Sequence, residues 1–462
     1  MDDEPLVSET AVTQPAVTQS AVTQSAVTQA AVTQAAVIQP VVSGSAATDA
    51  GAGGKGTLLV ISQVYVPDPA SVGQHVADAA AEMVRRGYRV RVLTSGRGYD
   101  DPTKRYPARE TLDGVDVVRL PLSSFGKKSI PHRLLGQGLF LLQAVVRGLF
   151  TRSLAGIMVS TSPPMASVAA VIISVLRGVG VKYWVMDLNP DQMIAMGKIT
   201  PTSVPARVFD AFNRAILRRA SDVVVMDRFM AERVGRKADV AAKMVAMPPW
   251  PHETEVQDIA HAENPFRKKH GLEGKFVVMY SGNHSPANPI GTVLEAAERL
   301  RDEARVVFMF IGGGGAKKDV EEKIAAGCAN VRSLPYQPLA EIRYSLSAAD
   351  VHVVSIGNEV VGIVHPCKVY GAMAMSRPVL LLGPNPSHVS DLIAEHRIGW
   401  HLNHGDVDGT VATIRGMLGT PREELGAMGA RAGRVISTTL SRATLCGRFC
   451  DVLERGMGRG RN

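Results

Sequence analysis

The stretch GIVHPCKVYGAMAMSRPVL, Gly362–Leu380, gathers a histidine, a cysteine and a lysine around a proline able to open a helix. Pro366 reads as a first helical residue, where a missing N–H costs nothing, and Cys367–Met375 as a short helix before the buried strand RPVLLLG. Lys368 then falls in the first turn, where the macrodipole is positive and favours carboxylates over ammonium groups. An anion held by both the helix start and the ammonium resolves that placement; a lysine that merely snorkels to solvent is the alternative. Two other stretches suit the same chemistry. SGNHS (Ser281–Ser285) presents Gly282 beside Asn283 and His284, side chains that bond phosphate or sugar. GGGG (Gly312–Gly315, with Gly313 inside it) lets backbone amides come close to a ligand, or is a plain turn.

Other phosphate chemistries lose ground. No GKS or GKT follows the glycines, so the run is not a P-loop, and no GxGxxG opens the chain's first half as hydride transfer would require.

Ligands of open parallel sheets bind at the carboxyl ends of strands, so these stretches need a βαβ frame. TLLVISQVYVPDP begins one, a buried strand running into a proline-rich loop. A helix from about Gly73 to Arg86, a stop at Gly87 and the strand YRVRVLTS follow. The strands VDVVRLPL, AGIMVSTSPP, VKYWVMDLNPD and SDVVVMD then alternate with the helices LLGQGLFLLQAVVRGLF and MASVAAVIISVLRGVG. After MPPWPHETEV the alternation restarts with KFVVMYSGNHS, ARVVFMFIGGGG, NVRSLPY and VHVVSIG as strands. The expected fold class is α/β, two doubly wound Rossmann-like domains over residues 57–250 and 251–435, with a C-terminal helix and tail over 436–462. No apolar run reaches the roughly 18 residues of a spanning helix.

Residues 11–35 are five tandem copies of AVTQ plus one small residue, a period that matches neither helix nor strand. Residues 1–56 read as a disordered tail. The tail carries −4 of a formal net charge of +8, leaving +12 on the rest, a surplus that suits phosphorylated substrates or an anionic membrane surface. Nucleic acid finds no support, for no basic cluster is interleaved with aromatics. Four cysteines without a CxxC pair, and no basic-then-apolar leader, lead to the expectation of a cytoplasmic protein, with the inner face of the cell membrane held open. Lys127, Lys128, His132, Arg133, Arg147 and Arg152 flank an apolar helix that could dip into headgroups or simply be buried.

In this order the pieces resemble family 4 glycosyltransferases of the GT-B fold, in particular the branch that builds bacterial exopolysaccharide and O-antigen repeats, including colanic-acid and fucosaminyl transferases. The likeness runs over about Thr57–Leu418 and rests on PDPASVGQH, STSPP, DLNPD, SGNHS, HPCKVYGAMA and SHVSDLI…IGW. It implies a second domain that binds a nucleoside-diphosphate sugar, by analogy a UDP-sugar, and a first domain that binds a glycan or polyisoprenyl-linked acceptor across a cleft. It further implies retaining transfer of a hexosyl or aminohexosyl unit, with no metal and no cofactor. The donor diphosphate would lie against Cys367 and Lys368, and Tyr336 in LPYQP stands where such enzymes hold the base, unless it only packs a loop. Gly73 would let backbone approach the donor sugar. Asp187, ahead of LNPD, could bond sugar hydroxyls or take the acceptor's proton, or cap a turn. His365 could bond phosphate or sugar, or be structural. The expected catalytic set is Asp187, His365 and Lys368, and Gly73, Gly282, Asn283, His284, Gly313, Tyr336, Cys367 and Lys368 are the expected donor contacts.

One departure stands out. Many family 4 enzymes carry two glutamates eight positions apart, the second bonding ribose; Ile363 and Gly371 occupy those positions here, and Glu359 is out of register. The basic pair usual after the first strand of the second domain is replaced by NHSPAN, so phosphate duty shifts to Lys368, His284 and backbone amides. A nucleotide-sugar 2-epimerase and a non-catalytic sugar-nucleotide-binding partner are the rival expectations. Because the polar repeat buries too little apolar surface to offset ordering entropy, removing residues 1–56 is expected to leave the melting temperature nearly unchanged. Scanning calorimetry of the truncated chain checks this, and a large drop would assign the repeat a structural role.

Overall fold

The computed structural model describes residues 55–68, 70–98, 103–121, 130–163, 165–251 and 259–458, with the backbone alone for 130–134 and 339. The repeat tail, Lys127 and Lys128, the side chains of His132 and Arg133, and residues 252–258 lie outside them. Lys55 and Gly56, assigned to the tail above, belong to the fold: Gly56 O accepts from Arg89 N at 3.0 Å, and Lys55 pairs with Glu454.

The first domain runs β1 (Thr57–Ile61), α1 (Ser71–Arg85), β2 (Arg89–Ser95), β3 (Arg109–Leu112), β4 (Val115–Leu120), α2 (Ile130–Leu149) and β5 (Leu154–Ser160). It continues with α3 (Ala166–Arg177), β6 (Val181–Val185), α4 (Asp191–Ala195), α5 (Val204–Arg219), β7 (Asp222–Val225), α6 (Arg228–Lys237) and β8 (Met244–Ala246). Its sheet has the order β3-β4-β2-β1-β5-β6-β7-β8, parallel except for β3. Strands β1, β5, β6 and β7 are buried along their whole length, the continuous apolar runs expected of a sheet covered on both faces.

Strand order fixes which face each helix covers. The connections β4→β5, β5→β6 and β6→β7 all cross in one direction, so right-handed crossovers put α2, α3 and α5 on one face. The β1→β2 connection runs the opposite way and puts α1 on the other.

The second domain runs α7 (Pro265–Lys269), β9 (Phe276–Ser281), α8 (Gly291–Arg299), β10 (Val306–Ile311), α9 (Lys317–Ala325), β11 (Val331–Leu334), α10 (Leu339–Ser347) and β12 (Val351–Ser355). Then come α11 (Lys368–Ala374), β13 (Val379–Leu382), α12 (His388–His396), β14 (Gly399–Leu402), α13 (Val407–Gly419), α14 (Arg422–Ser437) and α15 (Arg442–Glu454). Its sheet is wholly parallel in the order β11-β10-β9-β12-β13-β14. The order reverses at β9, so the loops after β9 and β12 part and leave a crevice there.

The last helix, α15, returns to the first domain. Phe449 lies 4.4 Å from Trp184 between ring centroids and 5.7 Å from Trp250, and Arg86, the C-cap of α1, holds both Asp451 and Glu454. Buried Cys446 and Cys450 face the same core, packing rather than ligating. Phe449 is 1% exposed, so Phe449→Ala should lower stability by about 3–5 kcal/mol. Denaturant unfolding followed by tryptophan fluorescence measures it, and a loss under about 1 kcal/mol would mean that α15 adds little to the first domain.

Candidate functional site

The loops after β9 and β10 lie back to back, and glycines make that possible. At Gly282 (φ +138°) a Cβ would stand 2.4 Å from Lys368 Cε, so only glycine leaves room for the lysine stem. At Gly314 (φ +122°) a Cβ would fall 2.2 Å from Asn283 Oδ1 and 2.3 Å from His284 O. Gly313 O accepts from His284 N at 2.7 Å, and Tyr336, half out in solvent, lies over Gly313. Asn283 is buried, its carbonyl accepting from Tyr280 Oη at 2.6 Å. Gly282, Asn283, His284, Gly313, Tyr336 and Lys368 thus come together at the β9/β12 crevice.

Lys368 opens α11, with Cys367 as the N-cap, so Pro366 sits one place before the N-cap instead of inside the helix. The half-buried ammonium donates to Asn288 Oδ1 at 3.3 Å and lies 5.5 Å from the Tyr280 ring centre. Among the described residues no carboxylate comes within 4.0 Å of it. Burial pushes its pKa down to about 8, the mark of a cation short of counter-charge. The helix itself contributes less than its sequence suggests: it has seven residues, and the amides of Cys367, Val369 and Tyr370 already bond His365, Pro366 and Cys367 carbonyls. Of the two positive features at this point, the ammonium is therefore the stronger and the helix start the weaker.

His284 is fully buried. Its Nδ1 faces Gly313 O at 3.3 Å, and a carbonyl only accepts, so the proton belongs on Nδ1. Burial lowers its pKa to about 4, with the Lys368 and Lys317 charges adding to the effect, so the ring is neutral near pH 7. Nε2 is left as a buried lone pair without a partner. A lone pair accepts a hydroxyl or N–H and repels a phosphate oxygen. The geometry therefore suits Nε2 to a hydroxyl or N–H donor and not to a phosphate oxygen, contrary to the phosphate role expected of His284.

The first domain meets this loop directly. Leu188 N donates to Ile363 O at 3.0 Å, across the two domains. That bond sets the neighbouring Asp187, whose amide is held by Thr161 Oγ1 at 3.2 Å, close to Cys367. Burial and the Asp187 carboxylate together push the Cys367 thiol up to about 12. Asp187 and the start of α11 are thus brought together. Gly73 is used differently: a Cβ there would stand 3.2 Å from the Tyr65 backbone, so its close approach is to its own β1–α1 loop. Ile363, at the first expected glutamate position, is buried under that interdomain bond, and Glu359 is exposed on the rim.

His365 turns away from the crevice. Its Nδ1 lies 2.8 Å from Asp227 Oδ2 of the first domain, its Nε2 2.7 Å from Tyr370 Oη, and His388 Nε2 is 2.9 Å from the same oxygen. Asp227 also caps α6 through Met230 N at 2.8 Å. Burial works to raise the Asp227 pKa, but the His365 bond and charge, the Met230 amide and His388 together outweigh it and hold the carboxylate below its usual range. Burial and the neighbouring His365 push His388 down to about 3, so it is neutral near pH 7; Asp227 accepts from His365 Nδ1, and Tyr370 Oη joins the two histidines. Asp227, His365 and His388 have ligand atoms within 4.8 Å of one another, a donor set able to hold a divalent cation, though those atoms already serve this row. Sequence reasoning missed Asp227, Asn288, Tyr370 and His388. All four stand inside or beside motifs it had singled out.

Residues 71–250 match the family described as glycosyl transferase 4-like domain, and residues 275–420 match glycosyl transferases group 1. The chain is 27% identical to the probable glycosyltransferase WbjE of Pseudomonas aeruginosa, over 60% of this chain and 71% of that one. It is 25% identical to the putative colanic acid biosynthesis glycosyl transferase WcaI of Escherichia coli K12, over 69% and 81%. Among solved structures, Anabaena Alr3699/HepE, crystallised with UDP and glucose, superposes with a TM-score of 0.65 at 15% identity, over 87% of this chain and 100% of that one. With two parallel sheets facing each other and a family match on each, the chain belongs to the GT-B glycosyltransferases, a glycosyl transferase 4-like domain followed by a group 1 domain.

Proposed function

We propose that the β9/β12 crevice binds a nucleoside-diphosphate sugar and that the enzyme transfers its sugar, with retention, to a glycan acceptor in bacterial cell-surface polysaccharide assembly. The observation that carries the reading is the Lys368 ammonium, half-buried and, among the described residues, without a carboxylate partner, beside loops that a diphosphate can reach. The naming of WcaI for colanic acid synthesis and the UDP bound to HepE support the substrate classes. In this reading Lys368 neutralises the diphosphate as it departs, when its charge is greatest. The His284 lone pair accepts a donor hydroxyl or a base N–H, and Tyr336, exposed over Gly313, stacks on the base. Asp187 bonds sugar hydroxyls or receives the acceptor's proton. No resident metal is needed, because the ammonium supplies the positive charge. His365 acts as a positioning residue, tying the α11 start to Asp227.

Release of free nucleoside diphosphate from a panel of sugar nucleotides, with and without lipid-linked glycan, tests the reaction. Turnover that depends on the acceptor supports transfer; tight UDP binding without turnover would make the chain a non-catalytic binding partner.

Lys368→Ala should weaken UDP binding about ten- to a hundredfold, the worth of one charge-assisted bond, without lowering the melting temperature. Titration calorimetry with parallel melts measures both, and unchanged affinity would remove the anion site.

The pH dependence follows from the same group. Its folded pKa of about 8 lies below the free-lysine value of 10.5, so the unfolded chain binds more protons between those two pH values and stability rises across that window. Diphosphate binding needs the proton, so UDP affinity should fall as pH climbs through 8 and beyond. Lys368→Ala should flatten both trends; a native affinity that is level from pH 7 to about 9.5 contradicts the assignment.

A further inference from the structure

Behind the crevice, three polar side chains from two domains meet at one point. Asp227 is the N-cap of α6, His365 lies two places before the N-cap of α11, and His388 is the first residue of α12. One carboxylate oxygen and one nitrogen of each ring lie within 4.8 Å of one another. The His365 and Asp227 side chains are 2% and 4% exposed, whereas His388 is half-buried. The group is therefore closed on the Asp227 side, and a small ion enters it past His388.

The donor types narrow the ion. Two imidazole nitrogens and a carboxylate oxygen suit zinc and its first-row neighbours, and not magnesium or calcium, whose ligands are oxygens. Tyr370 Oη stands 2.7 Å from His365 Nε2 and 2.9 Å from His388 Nε2, the kind of outer hydrogen bond that turns a ring's other nitrogen toward a metal. Nδ1 of His388 makes no hydrogen bond among the described residues. Tetrahedral bonds of about 2.0–2.2 Å put ligand atoms about 3.3–3.6 Å apart. The 2.8 Å contact of Asp227 with His365 must then open by about 0.6 Å, and the other separations close by about 1.3 Å at most, shifts that side-chain rotation supplies. The adjacent Arg228 guanidinium is bonded twice to Asp391, at 2.6 and 2.9 Å, so little of its charge is left to repel a cation.

We propose that Asp227, His365 and His388 form a zinc site that clamps the first domain to the segment leading into α11. The ion binds Asp227 Oδ2 and the two Nδ1 atoms, and water takes the fourth position. It displaces the proton of His365 Nδ1, which moves to Nε2 of the same ring. Each ring then keeps one proton, on Nε2, and Tyr370 Oη has a lone pair for each, so both rings stay neutral and no proton is lost. The inference does not depend on the donor site, and its test needs no sugar transfer.

The full chain, stripped with a chelator, is dialysed against Zn2+ alone and its metal content counted, with melting curves in parallel. One zinc should bind per chain and raise the melting temperature, because only the folded arrangement holds it. An about hundredfold excess of Mg2+ should leave most of it in place. Co2+ in place of zinc should give the strong visible absorption of a four-coordinate site without a thiolate charge-transfer band, which sets the four cysteines aside. Asp227→Asn keeps the cap on α6 and an acceptor for His365, and His388→Gln keeps a hydrogen bond for Tyr370; each should weaken zinc binding at least about tenfold. His396→Gln, which alters the histidine beside Glu395 at the other end of α12, should leave it unchanged. If one cluster variant fails to fold without metal, the other and the cobalt spectrum decide. A native chain that retains no zinc, a thiolate band, Mg2+ competing equally, a folded cluster variant binding like the native chain, or His396→Gln losing as much would each overturn the proposal.

Discussion

A lysine ammonium held in a half-buried crevice with no carboxylate beside it among the described residues is the constraint around which the second domain is arranged. An ammonium there has lost part of its hydration, and Asn288 and the Tyr280 ring return only some of it. The surrounding backbone is shaped to keep it in place. Gly282 clears the volume its stem occupies, and the next glycine loop packs so closely on Asn283 and His284 that a side chain at Gly314 would displace both. The parallel sheet contributes by ending β9 and β12 side by side where strand order turns.

That geometry is not the second domain's alone. The segment before Lys368 is fixed from the first domain at four points: Leu188 N to Ile363 O, Asp227 to His365, Arg233 to Val361 O, and Gly362 lying so close to Phe229 that a Cβ would meet its carbonyl at 2.5 Å. The start of α11 is thereby positioned by both domains together. The same bonds explain why a histidine next to the lysine in sequence faces elsewhere in space: His365 bonds the first domain, and Lys368, one helical turn on, points into the crevice.

Much of the frame was legible. Continuous apolar runs marked β1, β5, β6, β9, β10 and β12, because strands buried on both faces have no polar alternation to obscure them. The strand ends then located SGNHS, GGGG and DLNPD. Elements with mixed composition were missed: β3 is a half-exposed edge strand, β8 is three residues long, and α5, for all its amphipathic pattern, lies behind a proline and a turn. Long-range contacts were beyond reach in principle. Asp227 and His365 are 138 residues apart, and no local spacing signals that they touch. The role of His284 likewise turned on which nitrogen faces Gly313 O, a matter of tautomer that residue type does not carry.

The return of α15 to the first domain gives the chain two crossings between its halves, one between Trp250 and Ile259 and one between α14 and α15. A body joined to another at a single point can swivel in any direction; joined at two, it turns about the line between them. Opening and closing of the cleft is thereby reduced to the swing of a gate on two pins. Because both pins are covalent, any swing between the halves returns the Asp187 loop to the start of α11 in the same register.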